Sequence, residues 1–175
     1  MPRIAPLPME ALPDELRVAV ERGLASRVLS TSLPVQIWAH QPDIALAWVS
    51  LLETLHLSGS LPARLRELVR LTIASITDCR ACQIARKSDE VNEIDIACLS
   101  ADDSRFSPQE QAALRYARLF ADDYHAVDEA VFDQLRAHFS TGAIVELQMF
   151  CALMLAGGRM TYVQRGYAEG SDDQG

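Results

Sequence analysis

The stretch Glu67-Leu68-Val69-Arg70-Leu71-Thr72-Ile73-Ala74-Ser75-Ile76-Thr77-Asp78-Cys79-Arg80-Ala81-Cys82-Gln83-Ile84-Ala85-Arg86 decides how the chain is read. Its first half continues an apolar stripe at helical spacing (Leu65, Leu68, Val69, Thr72, Ile73 and Ile76), the pattern of a helix buried on that face. Thr77-Asp78 interrupts it. Cys79-Arg80-Ala81-Cys82 and the residues after it predict a second helix over residues 79–89, capped by Asp78. A Cys-x-x-Cys pair beside a helix start is a place for thiol chemistry, because helix N-termini and nearby cations favour the thiolate. Glu67 lies off the stripe, on a face with Leu71, Ala74 and Asp78, one helix upstream of the pair.

Around this stretch, 175 residues predict a single domain over residues 1–175, long enough to bury a core without staples. Hydrophobic residues at 49% and charged residues at 23% fit a soluble globular chain. A net charge of -8 argues against nucleic acid and anionic membranes, which need clustered Lys and Arg. No apolar run is read as reaching the roughly 20 residues that span a bilayer. The Pro-rich start, residues 1–11, has one Arg and no continuous apolar segment; it reads as an extended, flexible surface strand rather than a signal peptide, so the expected compartment is the cytoplasm. The four cysteines Cys79, Cys82, Cys98 and Cys151 are too few for a disulfide scaffold. No second Cys-x-x-Cys or His-x-x-x-His supplies the remaining zinc ligands, so neither a metal nor another cofactor is expected.

The other segments also read as helix, giving an all-α fold. Leu16, Val20, Leu24 and Val28 predict a helix of about four turns opened by Pro13. Thr31-Ser32-Leu33-Pro34 reads as a breaker before a short helix at 35–40, which Gln41-Pro42 ends. Residues 43–57 form the next helix, ended by Gly59, and Pro62 opens the central one. Ile94, Ile96 and Leu99 suggest a short apolar turn. Ser107-Pro108-Gln109-Glu110 is a capping box, and Asp128 caps a helix carrying Val131, Leu135 and Phe139. Residues 143–166 are apolar nearly all round, which predicts burial inside the protomer or between subunits, and Gly157-Gly158 marks a weak point or a close helix contact. The acidic tail, 169–175, reads as flexible.

These motifs resemble the alkylhydroperoxidase D / carboxymuconolactone decarboxylase superfamily. The resemblance rests on Leu61-Pro62-Ala63-Arg64-Leu65-Arg66-Glu67-Leu68-Val69 followed by Cys79-x-x-Cys82. It continues in Phe106-Ser107-Pro108-Gln109-Glu110, in Phe132-x-x-Leu135-Arg136-x-His138-Phe139 and in Ile144-Val145-Glu146-Leu147, covering roughly residues 38–165. It implies an all-α, AhpD-like helical fold and a homo-oligomer, often a trimer or hexamer. For activity it implies a thiol-dependent hydroperoxide peroxidase or disulfide oxidoreductase, served by an external dithiol donor. The family's peroxidase pattern, Glu then Cys-x-x-Cys-x-x-x-His, falls on Glu67, Cys79 and Cys82, with Arg86 in place of the histidine and Ala81 between the cysteines.

The candidate site is therefore Cys79, Cys82, Glu67 and Arg86. The family pattern implies that Cys82 attacks peroxide and Cys79 resolves; the helix-terminus argument alone activates Cys79. Glu67 reads either as a general base or as the partner that orients Arg86, against the bland reading of a surface glutamate. Arg86 cannot give up a proton; it can stabilise a thiolate or bind an anionic substrate. Arg80 adds positive charge and Asp78 negative charge beside Cys79. His125 is a distant relay candidate or a solvated loop residue, Cys98 and Cys151 read as packing residues, and Glu146 as structural, paired with an arginine across an interface. The alternative function is a family member without peroxidase activity, either a decarboxylase-type enzyme or a redox-sensing oligomer.

Overall fold

The computed structural model describes residues 1–99 and 104–167, apart from the side chains of Arg80 and Ala81. The tail that reads as flexible lies outside the described residues. Every regular element among the described residues is helical: α1 (Asp14–Ala25), α2 (Leu33–Trp38), α3 (Pro42–Glu53), α4 (Ala63–Ile76), α5 (Arg80–Ile84), α6 (Glu93–Cys98), α7 (Pro108–Asp122), α8 (Glu129–His138) and α9 (Thr141–Gln164). Two compact units divide the chain, one of Met1–Gly59 with Arg159–Gly175 and one of Ser60–Gly158.

In the first unit α1 packs on α3 and α2 on α3, around a core of Leu12, Leu16, Ala19, Val20, Val35, Ala39, Ala45 and Val49. Arg27, in a left-handed conformation (φ 61°), turns the chain after α1. Val28 is therefore buried beyond the helix instead of on it, and Leu24 faces outward. Leu33-Pro34 opens α2 rather than breaking the chain, since a proline in the first turn removes only an N–H with no intrahelical partner. α3 runs on into a π-helical turn, Thr54–Ser58, and Gly59 leaves it extended (φ −70°), with no left-handed cap. The start of the chain is tied down: the Arg3 and Leu7 N–H groups donate to the carbonyls of Gln164 (2.9 Å) and Gln36 (3.1 Å).

In the second unit α4 packs against α7, and α7 against α8. α4 is buried on more than its apolar stripe: Glu67, Arg70, Leu71 and Ala74 are as enclosed as Leu68 and Val69. The Ser107–Glu110 capping box opens α7. Asp128 Oδ1 accepts the Val131 N–H at 3.0 Å to open α8. α6, read only as an apolar turn, is a true helix because Asn92 and Asp95 form a second capping box. α9 is the longest element, and it is long and apolar enough to cross a membrane by length and composition, which the run-by-run reading did not register. Its first eighteen residues lie in this unit. There Ile144, Leu147, Phe150, Cys151 and Leu153 are buried, while Val145 and Met149 are about half exposed.

Candidate functional site

The end of α4 sets the position of the cysteines. Asp78 is left-handed (φ 51°), and the Cys79 N–H donates to the Ala74 carbonyl at 3.1 Å, the six-to-one bond of a Schellman ending. Asp78 therefore terminates α4 through its backbone, and α5 starts at Arg80, so Cys79 rather than Asp78 immediately precedes it. An aspartate before a helical run suits either role, since it is among the few residues that tolerate the left-handed region. Cys79 itself precedes α5, its carbonyl accepting the Gln83 N–H at 2.9 Å, and α5 is five residues long where a helix over 79–89 was expected. Gly158 of α9 comes so close that a Cβ there would lie 3.0 Å from the Thr77 hydroxyl. Of the two readings of Gly157-Gly158, the close contact holds at Gly158.

Cys79 and Cys82 are joined by a disulfide, with Cα atoms 5.2 Å apart. Cys79 is buried at 4% exposure, whereas Cys82 is partly accessible. Beneath them lies a residue that sequence reasoning missed. Arg70, 5% exposed, forks onto Glu67, its Nε 2.7 Å from Oε2 and its Nη2 2.8 Å from Oε1. The same guanidinium donates to the Cys82 carbonyl through Nη1 and to the Ala85 carbonyl through Nη2, both at 2.6 Å. Glu67, only 1% exposed, accepts the Lys87 N–H at 3.0 Å as well. Glu67 is thus a buried anchor rather than a surface residue. The available signal was Arg70 itself, a charge set among Leu68, Val69 and Leu71 and three residues after a glutamate, but that spacing equally describes a solvated pair.

Arg86 does not meet Glu67. Its Nη2 pairs with Glu93 at 2.9 Å, and its Nη1 donates to the carbonyls of Gln83 (2.5 Å), Ile84 (3.0 Å) and Ala85 (3.2 Å). It closes the carboxyl end of α5, where a cation is favoured by the exposed carbonyls. The side chain of Arg80 lies outside the described residues, so its charge is not placed. His125 is exposed, with its ring 4.1 Å from that of Tyr124. Cys98 and Cys151 remain outside any disulfide, and full burial pushes the Cys151 thiol far up, leaving it inert. Glu146 is structural within its own chain: it accepts the Ser60 N–H (2.7 Å), the Ser60 hydroxyl (2.6 Å) and the Leu61 N–H (3.0 Å) just ahead of α4. Burial pushes its pKa up, but these bonds and the charge of Arg66 outweigh that and hold it below the usual value.

This arrangement can perform two-electron thiol–disulfide exchange. One cysteine is partly accessible, the other is buried beside it, and the main chain from Cys82 to Ala85 is tied to a buried arginine. Among the described residues no group of three or more His, Cys, Asp or Glu side chains could hold a metal ion.

Residues 42–119 match the model of the carboxymuconolactone decarboxylase family. A search of curated proteins finds no match. Among solved structures, the debrominase Bmp8 superposes with a TM-score of 0.80 at 19% identity, over 97% of this chain and 93% of that one. A cysteine-to-alanine variant of Bmp8 holding 2,3,4-tribromopyrrole gives the same TM-score of 0.80 and 19% identity, over 97% and 92%. A peroxidase-related protein from Ralstonia eutropha, with an alkylhydroperoxidase D core, superposes at 0.69 with 22% identity, over 97% and 93%. At these identities the likeness is one of fold. The chain therefore has an alkylhydroperoxidase D-like helical fold, and its residues 42–119 are similar to the carboxymuconolactone decarboxylase family.

Proposed function

We propose that this chain is a thiol-dependent oxidoreductase that reduces hydroperoxides with Cys79 and Cys82. The observation that carries the reading is the Cys79–Cys82 disulfide, in which one cysteine is enclosed and the other accessible. The Cys82 thiolate attacks the peroxide oxygen, the O–O bond breaks, and an alcohol or water leaves with a proton. The sulfenic acid on Cys82 is then displaced by Cys79, releasing water and forming the disulfide. An external dithiol restores both thiols. Arg86 stays protonated and bound to carbonyl oxygens, so the leaving oxygen takes its proton from water. A positioned general acid typically contributes about 10²–10⁴-fold, and turnover is expected to be slower by a factor of that order.

Further copies of the chain are the expected assembly partners. Val145 and Met149 form an exposed apolar flank of α9, continued at helical spacing by Ala152 and Ala156. A second reading follows from the likeness to the debrominase Bmp8: the same two thiols would replace bromine on an aromatic ring by hydrogen, yielding bromide, a proton and the disulfide.

The deciding experiment is stopped-flow consumption of a hydroperoxide by the reduced protein. The parent should consume one equivalent per protomer and form the Cys79–Cys82 bond. Cys82→Ser should consume none, and Cys79→Ser should stop at a sulfenic acid. Undiminished consumption by Cys82→Ser overturns the proposal, and bromide release from 2,3,4-tribromopyrrole without peroxide consumption selects the second reading.

A further inference from the structure

The proposed reaction leaves two buried charges under the disulfide without a part. Arg70 has five N–H donors and makes four contacts: two to Glu67, one to the Cys82 carbonyl and one to the Ala85 carbonyl. Both oxygens of Glu67 are engaged in turn, Oε2 by Arg70 and Oε1 by Arg70 and the Lys87 N–H. The carboxylate is therefore spent on holding Arg70 and the main chain that follows α5.

We propose that Arg70 is the positioning residue of the cysteine pair and that Glu67 and Arg70 act on it as one electrostatic unit. Arg70 fixes the main chain from Cys82 to Ala85, and Glu67 moderates the pull of that cation on the Cys82 thiolate. The inference rests on the redox reading of Cys79 and Cys82. Its physical basis is short range. A carbonyl oxygen and the sulfur of the same cysteine are a few bonds apart, so a guanidinium 2.6 Å from the Cys82 carbonyl is close to the thiolate once the disulfide opens. A cation there favours the charged form of the thiol, and the carboxylate paired with it opposes that effect. The other charged residues of the segment include Asp78, Arg80, Lys87, Asp89, Arg86 and the Glu93 paired with Arg86. They are common to parent and variants, so a difference between variants reports on the Glu67–Arg70 unit.

This role differs in sign from two simpler ones. If Glu67 were a general base, removing its charge would slow the thiol. If the pair only braced the fold, breaking it from either side would have the same consequence. The test is the pH dependence of Cys82 alkylation by iodoacetamide in the reduced protein, followed by peptide mapping, in the parent, Glu67→Gln, Arg70→Gln and Arg70→Lys. Glu67→Gln leaves the Arg70 charge unopposed, so the midpoint should fall; a drop of one pH unit appears as about tenfold faster alkylation below the parent midpoint. Arg70→Gln removes the cation and should raise the midpoint, and Arg70→Lys, which keeps the charge but not the fork, should bring it back toward the parent. Slower alkylation in Glu67→Gln, shifts of the same sign in Glu67→Gln and Arg70→Gln, or no shift in either, overturns the proposal. Should Arg70→Gln fail to fold, the direction of the Glu67→Gln shift decides alone. A parent that alkylates with these shifts but consumes no hydroperoxide sinks the peroxidase reading and leaves this one standing.

Discussion

The two units support their shortest helices by different means. α2, six residues long, and α5, five residues long, are both far below the roughly 12–15 residues at which an isolated helix becomes marginal. α2 is held by apolar burial: Val35 sits in the core with Leu12, Leu16, Val20 and Val49. α5 has little of that kind to offer, since Ile84 is 62% exposed. Its turn is instead held from below by Arg70 and at its end by Arg86, both bonding main-chain carbonyls. An apolar core loses stability in proportion to the volume removed. A buried ion pair does not, because taking away one partner strands the other charge. The cysteine segment therefore rests on a support that fails abruptly, and the α2 region on one that fails gradually.

Arg70→Ala should break the comparison most severely. It leaves Glu67 buried and unpaired, a loss of about 3–5 kcal/mol, read as a shift in the denaturant midpoint. Acid should act on the same unit next. The Arg64 guanidinium on Asp95, aided by the Asn92 N–H and Arg105 and opposed by burial, holds that carboxyl well below the usual carboxylate range. Glu146 is lowered too, its bonds and Arg66 overcoming burial. Both folded-state pKa values are depressed, so their stabilisation is complete above the unfolded values of about 4 and is lost as pH falls below them. Hydrogen exchange between pH 5 and 3 should show residues 60–158 losing protection before residues 1–59.

Val49→Ala sharpens the other side, with a graded loss of about 2 kcal/mol for two buried methyl groups. Gly158→Ala should be smaller, about 1 kcal/mol net, because crowding at Thr77 outweighs the gain from removing a helical glycine. Its more telling readout is slower closure of the Cys79–Cys82 bond, since Thr77 leads directly into that segment. Arg17→Ala, at a pair whose side chains are 41% and 88% exposed, should leave the midpoint nearly unmoved.

Much of the fold was legible because its signals are local. The Ser107–Glu110 box and the Asp128 cap each act within one helical turn, and both helices start where those residues put them. The site was legible only where residue type named it: the cysteines by their spacing, Glu67 by resemblance. Arg70 was not, because two of its four bonds depend on residues 82 and 85 returning beneath α4, a tertiary event that no spacing records. Asp78 misled for a related reason. Whether it caps one helix or ends another depends on its backbone angle, and a left-handed aspartate reads the same as an N-cap in sequence.

The most direct test of the central claim is to reduce the protein fully, add one equivalent of hydroperoxide, unfold it, block the remaining thiols and map the peptides. The account predicts a Cys79–Cys82 disulfide, with Cys98 and Cys151 recovered as blocked thiols. Recovery of Cys79 and Cys82 as thiols, or oxidation confined to Cys98 or Cys151, contradicts it.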